Sequence, residues 1–406
     1  MSTSLMFHAF GARRHDYLRT EYRQGAIYFH IETKSSKRRC VCCGSRQVTL
    51  HGTETQTLRT LPIGSRPVFL VLHLHDLHCR KCGAIRQEDR IVAAPMKRYT
   101  KAFGRFVLGL CKKMTISDVA RHLGMGWHTV KGILKEHLEK RAARRSWRRV
   151  KRVAIDEIAI RKGHRYMTVI VDLTTGELLF TAEGRDHTCL KPFFHRLSRA
   201  GAKLEAIAVD MSHAYRKAIR DFGPPGVVVV HDRYHLVSAM NHVIDKVRRS
   251  EQNRQEEEGK KFIKGSRYLL LYAKENLAKK PPEKQERLER LLEANEILNK
   301  VYLLKEDLRQ FWSHDSKKEA KTFIEDWCRQ ATAVGSTPLT AYAKTIQTHL
   351  PAILAWYDHP ISTGPLEGLN NKIKVLKRTA YGYRDMKFFG LRLLFIHESK
   401  FKLAGV

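Results

Sequence analysis

No stretch of the 406-residue chain reaches the ~18–20 consecutive apolar residues that a membrane-spanning helix needs. The longest candidate, Val68 to Leu77, is broken by two histidines and an aspartate. Met1 to Gly11 is too short and too unpatterned for a signal peptide. These absences set the expectation of a soluble, intracellular protein with no membrane partner. Cysteine is sparse: of eight, Cys111, Cys189 and Cys328 are isolated from one another, and a disulfide mini-protein is excluded. A hydrophobic content of 43% excludes a disordered tail, and the length suffices for two to four domains of ~100–200 residues. Acidic residues are scarce relative to basic ones, 41 against 75, which leaves a net charge of +34 and a pI near 10.0. Met1 to Arg152 alone holds 32 basic and 10 acidic residues, a net of +22. A basic front half on a more balanced back half is the footprint of a protein that meets a polyanion, DNA or RNA.

The five remaining cysteines are clustered. Cys40 and Cys43, then Cys79 and Cys82, form two Cys-x-x-Cys knuckles, each followed by a glycine, Gly44 and Gly83. Two thiolates at that spacing grip one ion from a tight turn, and four of them suit tetrahedral zinc. The alternative is four buried or free thiols. Cys42 competes with Cys40 as the first ligand. Between the knuckles the chain reads as strands, with apolar and polar residues alternating from Leu70 onwards.

Thr115 to Leu134 has the rhythm of a helix-turn-helix. Ile116, Val119, Ala120 and Leu123 share one helical face, Gly124 and Gly126 mark the turn, and a second helix begins near Trp127 with Val130, Ile133 and Leu134 inward. His128, Thr129, Lys131 and Lys135 are then expected on the exposed face, towards a DNA groove. An ordinary helical hairpin is the competing reading. Lys140 to Arg152 follows as a dense basic linker, and Arg144, Arg145, Arg148 and Arg149 are expected to track phosphates.

From Val153 the pattern turns to strands: Val153–Ile160, Arg165–Leu173 and one beginning at Glu177, joined by turns. A helix near Thr188–Ala200, a strand Leu204–Val209, a helix His213–Asp221 and a strand Val227–Val230 come next. A meander followed by alternating strands and helices resembles the α/β ribonuclease H-like fold. Asp156 lies inside the first strand and Asp210 ends the fourth; those strands are neighbours in that fold, so the two carboxylates are expected to converge. An aspartate in a strand interior is unfavourable unless something compensates it, and a pair of divalent cations is one such compensation. Helix caps or arginine pairs are the alternative. Arg249 to Tyr357 reads as a charged, all-helical insertion. Beyond it, Pro365 opens a helix with Leu366, Leu369, Ile373 and Leu376 inward, and with Glu367, Asn370, Asn371, Lys374 and Arg378 on the polar side. Glu367 is either a metal ligand or a first-turn residue serving the helix dipole.

Taken together, Asp156 with Glu157, Val209 to Ser212, His231 to Leu236, and Glu367 to Lys374 resemble the DDE transposases of the ISL-three insertion-sequence family. The basic segment from Lys377 to Asp385 fits as well. The resemblance covers the chain from about Cys40 to Phe395. It implies a bacterial DNA transposase that binds terminal inverted repeats and cuts and joins DNA strands. Asp156, Asp210 and Glu367 would be the catalytic triad on magnesium or manganese, and Cys40, Cys43, Cys79 and Cys82 would hold a structural zinc. Asn371, Lys374 and Arg378 would join the DNA contacts. Asp232 with His235 resembles an accessory motif; Asp232 would be a supporting group, a DNA contact, or the second ligand in place of Asp210. The implied partners are double-stranded DNA, both repeat and target, and a second copy of the chain, in a cytoplasmic, nucleoid-associated setting. The expected domains are a zinc module at 1–95, a helix-turn-helix with its linker at 96–150, a core at 151–250, a helical insertion at 251–357, and the returning core helix at 358–406. A catalytically silent DNA-binding regulator and a nuclease acting on RNA hybrids are the competing functions.

Overall fold

The structure is a computed structural model that describes residues 5–161 and 165–396, the side chains of Arg161, Pro365 and Glu367 excepted. The chain divides into two units, one running to Ala143 and the other from Arg144 to Ile396.

The first unit contains α1 (Leu5–Phe10), β1 (His15–Arg23), β2 (Ala26–Thr33), β3 (Val48–Ile63), β4 (Arg66–Cys79), β5 (Ile85–Gln87), α2 (Lys101–Leu110), α3 (Ile116–Leu123) and α4 (Trp127–Arg144). Its sheet has the order β1-β2-β4-β3, with β5 added to β4. The alternation seen from Leu70 explains why β4 is central. Val68, Leu70, Leu72 and Leu74 line one face and bury against Ile31 and Leu58. The other face carries His73 and His75, and these are bonded rather than bare: His73 to His30 at 3.0 Å, and His75 to Glu32 at 3.0 Å and Thr53 at 2.9 Å.

The second unit opens with β6 (Arg152–Arg161), β7 (Arg165–Asp172) and β8 (Leu178–Glu183), followed by α5 (Lys191–Arg199), β9 (Ala206–Val209), α6 (His213–Phe222) and β10 (Val228–His231). The sheet order is β8-β7-β6-β9-β10. The first three strands are an antiparallel meander; β9 joins β6 in parallel, and β10 joins β9 in parallel. Each strand alternates faces. Val153, Ile155, Ile207 and Val209 pack on Phe193, Phe194 and Leu197 of α5 and on Tyr215, Ala218 and Ile219 of α6. Ala154, Ile158, Ala206, Ala208 and Val230 point the other way. Burying each large side chain of such a core contributes roughly 1.5–3 kcal/mol.

Eight helices follow β10: α7 (Arg233–Arg254), α8 (Glu257–Ile263), α9 (Arg267–Leu271), α10 (Lys274–Leu277), α11 (Pro282–Ala294), α12 (Glu296–Gln310), α13 (Lys317–Ala333) and α14 (Thr337–Leu354). They bury a core of their own around Met240, Leu298, Phe311, Trp327 and Ile346. Among the described residues two further helices, α15 (Gly364–Thr379) and α16 (Met386–Leu394), return to the sheet, where Leu366, Leu369, Ile373, Phe389 and Leu393 cover the second face.

Candidate functional site

The parallel register decides which side chains meet. Ala154 of β6 pairs with Ala208 of β9, and Val209 pairs with His231 of β10. Two residues beyond the first pair, and one beyond the second, lie Asp156, Asp210 and Asp232. Neighbouring strands are about 4.8 Å apart, so the three acids form a row across β6, β9 and β10. By alternation they share the face of Ala154, Ala208 and Val230, the face that α15 covers. Burial pushes the Asp156 carboxyl above its ordinary range and Asp210 adds to that, while the Glu157 amide, Asn370 and His235 pull it back. Asp156 and Asp210 thus occupy matching positions on neighbouring strands, close enough for the charge of Asp210 to act on Asp156. Glu157, beside them, is likewise raised by burial, against the pull of Arg185 at 3.5 Å.

The third acid of the row is engaged differently. Asp232 is buried, and one of its oxygens accepts from the Tyr234 amide at 2.9 Å and the His235 amide at 3.3 Å, capping α7. Its other oxygen accepts from the Thr363 amide at 2.8 Å, one residue before α15. Among the described residues, Asp210 by contrast accepts only the Ser212 amide, at 2.9 Å.

The polar side of α15 divides in two. The Asn370 amide nitrogen donates to Asp156 at 3.1 Å, whereas Asn371, Lys374 and Arg378 are exposed. The remaining oxygen of Asn370 is buried with no partner among the described residues. Residue 367 lies one helical turn before Asn370; the Glu367 side chain is outside the described residues. Lys377 fixes the helix further along by donating to the carbonyls of Ala159 at 3.2 Å and Ile160 at 2.7 Å. Asn370 was not expected to touch the acids. Its signal was its place three residues after Glu367.

The four expected cysteines come together. Sγ atoms of Cys40 and Cys82, and of Cys43 and Cys79, are 3.6 Å apart, and all four lie within 4.8 Å of one another. Zinc–sulfur bonds of ~2.3 Å at tetrahedral angles require about 3.8 Å between sulfurs, so the donor set fits that ion. The two knuckles repeat one design: Gly44 donates to the Cys40 carbonyl and Gly83 to the Cys79 carbonyl, both at 2.9 Å. Both glycines adopt φ near +70°, where a side chain would be strained. The amides of Cys43 and Cys42 hold the Cys40 thiol below the usual thiol range, whereas Cys82, despite the Ala84 amide, is pushed up by Cys43, Cys40 and Cys79. Cys42 is exposed and outside the quartet, so Cys40 is the first member of the set.

In the helix-turn-helix region, Thr115 caps α3 and Gly124 ends it at φ +59°. Val119, Ala120 and Leu123 bury against the unit, as do Val130, Ile133, Leu134 and Leu138 of α4. His128 and Thr129 are exposed as expected. Lys131 and Lys135 are only half exposed, a correction, and the Lys131 ammonium sits 5.4 Å from the Trp127 ring. The basic linker is also corrected in part. Trp147 is a core residue at 2% exposure, packed on Phe193 and covered by Arg196 at 4.3 Å. Arg145 does not reach outwards: it donates to the Leu178 carbonyl at 2.6 Å and pairs with Glu177. Arg144, Arg148 and Arg149 are exposed.

Comparison with known proteins agrees with these features. Residues 153–393 match a family model described as "Transposase", and residues 92–138 match the "Helix-turn-helix domain of transposase family ISL3". The chain is 35% identical over 358 residues, 87% of each chain, to the transposase for insertion sequence element IS1001 of Bordetella parapertussis. It is 28% identical over 383 residues, 86% of this chain and 83% of the other, to the transposase for insertion sequence element IS1557 of Mycobacterium tuberculosis. A chain of the Drosophila P element transposase strand transfer complex is similar at 10% identity and a TM-score of 0.38, covering 73% of this chain and 92% of that one. No helix among the described residues is long and apolar enough to cross a membrane. The chain belongs to the transposase family ISL3, and its function is that of a DNA transposase.

Proposed function

We propose that Asp156, Asp210 and Glu367 form the catalytic triad of a ribonuclease H-like core and hold two magnesium or manganese ions. The observation that carries the reading is the register-matched row of acids, in which Asp156 and Asp210 stand side by side while Asp232 is taken up by backbone amides. The strand order, meander first and parallel crossovers after it, supports the fold assignment. Burial and the neighbouring Asp210 both raise the affinity of Asp156 for protons, and the Asn370 amide oxygen beside it has no partner among the described residues; that combination fits a cation site. Bound there, divalent ions would acidify a water or a 3′-hydroxyl and stabilise the leaving oxygen at phosphorus.

The chain's own groups do the rest. Asn370 fixes one oxygen of Asp156, and Lys377 holds α15 against β6. Asp232 ties the entry of α15 to the start of α7, so the helix bearing Glu367 is set against the row. The His235 ring lies near Asp156 and favours its carboxylate form. Cleavage and joining are both phosphoryl transfers, and neither requires a covalent link to the protein.

Binding falls to other surfaces. His128 and Thr129 enter the major groove of the terminal inverted repeat, flanked by Lys131 and Lys135. Arg144, Arg148, Arg149, Asn371, Lys374 and Arg378 contact phosphates of repeat and target DNA. Zinc in the four-cysteine site stabilises the module at 1–95, the helix-turn-helix occupies 96–150, and the core at 151–250 and 358–406 is interrupted by the helices of 251–357. The protein acts as a dimer or larger assembly in the bacterial nucleoid.

The test is cleavage of labelled duplex DNA carrying the element's own repeat, with magnesium or manganese. Asp156→Asn, Asp210→Asn and Glu367→Gln are each expected to reduce cleavage at least ~1,000-fold, a loss of about 4 kcal/mol of transition-state stabilisation, with repeat binding retained. Tight binding by wild type without cleavage under either metal would instead identify a silent regulator.

A further inference from the structure

A cavity of about 450 Å³ lies beside the edge strand β10, between α6, α14 and the turn from Gly223 to Gly226. Its volume is within the ~300–1,000 Å³ range of small-ligand sites. Arg216 and Arg220 project one helical turn apart on α6, and His231 and His349 close the opposite wall. No lining residue is acidic. The Arg216 Nε is buried with no hydrogen-bond partner, and Arg216 forms no ion pair among the described residues. Arg220 is 73% exposed at the mouth, where its Nε donates to the Asp221 carboxylate at 3.3 Å and its terminal nitrogens remain for a ligand. A buried guanidinium donor without an acceptor is costly, and an oxyanion that takes several donors at once is the ligand that relieves it. Prolines 224 and 225 and Val229 supply an apolar wall against which a sugar or base attached to such an anion would rest.

We propose that this cavity is a phosphate-binding site, with Arg216 as the inner ligand and Arg220 as the outer one. It stands next to the row of acids without being part of it. His231 lies 3.2 Å from the Val209 carbonyl, which only accepts, so Nδ1 carries the proton; Nε2 then accepts from Nδ1 of His349 at 3.0 Å. The wall of the cavity is thereby fastened to the peptide immediately before Asp210, and an occupant would steady that end of β9. The phosphate comes from one of two sources, a free nucleotide or the backbone of bound DNA. Only the second rests on the DNA-binding reading, and neither requires the catalytic assignment.

The experiment uses the full-length protein and Arg216→Met, Arg220→Ala and, as a control on a remote exposed helix, Arg290→Ala. Melting temperature is followed with inorganic phosphate or dAMP against chloride at equal ionic strength, and repeat-duplex affinity is followed against salt. A free-nucleotide site raises the melting temperature of wild type and Arg290→Ala with phosphate or dAMP, and the rise is lost in Arg216→Met and reduced in Arg220→Ala. A DNA-backbone site shows no such rise; instead both cavity variants bind duplex several-fold more weakly, with a salt slope lower by about one, while Arg290→Ala is unchanged. Arg220→Ala removes an exposed side chain and carries the test if Arg216→Met fails to fold. Cavity variants that match Arg290→Ala in both measurements overturn the proposal. Strand cleavage is not a readout, so failure of the catalytic triad leaves this result interpretable.

Discussion

Asp232 receives three backbone amides on its two carboxylate oxygens, from Tyr234, His235 and Thr363. Replacing it by alanine strands three donors in the interior, and Asp232→Ala is expected to lower stability by roughly 2–4 kcal/mol. Asp232→Asn is expected to fall in between, since its amide oxygen still caps α7. Urea midpoints of the three proteins check this; an alanine variant as stable as wild type would mean the bonds to Thr363 and α7 are of no consequence. His231 gives a prediction with a sign. Burial holds its pKa down at about 4, with the neighbouring His349 contributing. The folded value lies below the unfolded one of about 6.5, so the unfolded chain binds more protons in between. Stability from this residue is complete above about pH 6.5, falls as the pH drops towards 4, and changes no further below that. The loss approaches roughly 3 kcal/mol. His231→Gln should flatten the fall in urea midpoint between pH 7 and pH 4.5; equal slopes in the two proteins would contradict it. The row of acids was half legible in the sequence. An aspartate inside an apolar strand is anomalous and draws attention to Asp156, and Asp210 ends a strand in the same way. Asp232 ends the next strand just as plainly; what sets it apart from Asp210 is its burial and its amide bonds, one of them from Thr363, 131 positions away.

At the scale of elements, the strands of the second unit were readable to within a few residues because both faces of the sheet are covered and its strands are strongly apolar. The helix α15 was readable from Leu366, Leu369 and Ile373. What failed was local reading that a distant contact overrules. Residues 15–33 carry two strands, yet β1 is mostly exposed and shows little periodicity. Within the expected all-helical insertion, residues 288–298 belong to two helices, since Asn295 breaks the run and caps α12 by accepting from Leu298 at 2.9 Å. The basic linker hides Trp147, whose burial depends on Phe193 of α5. The cysteine knuckles were legible because the cysteines and their glycines are adjacent in sequence; the choice between Cys40 and Cys42 needed the geometry. One zinc per chain is expected by metal analysis, with loss of the metal in Cys40→Ser, Cys43→Ser, Cys79→Ser and Cys82→Ser and full content in Cys42→Ser. Chelation should melt the turns at Gly44 and Gly83 and their strand ends. Full zinc in Cys40→Ser together with loss in Cys42→Ser would reverse the assignment.

For the whole molecule, the net charge of +34 and its concentration before Arg152 announced a nucleic-acid partner without saying what is done to it. In the other half of the chain three acids share one row, and the proposed function gives the metal chemistry to two of them, Asp156 and Asp210, leaving Asp232 to the backbone amides. That division of labour is the central claim, and titration of manganese into the full-length protein, followed by electron paramagnetic resonance, tests it most directly. Wild type and Asp232→Asn are predicted to bind manganese with similar affinity, while Asp156→Asn and Asp210→Asn bind at least tenfold more weakly, about 1.4 kcal/mol. Undiminished binding in Asp210→Asn, with loss in Asp232→Asn, would contradict the account and move the second ligand to β10.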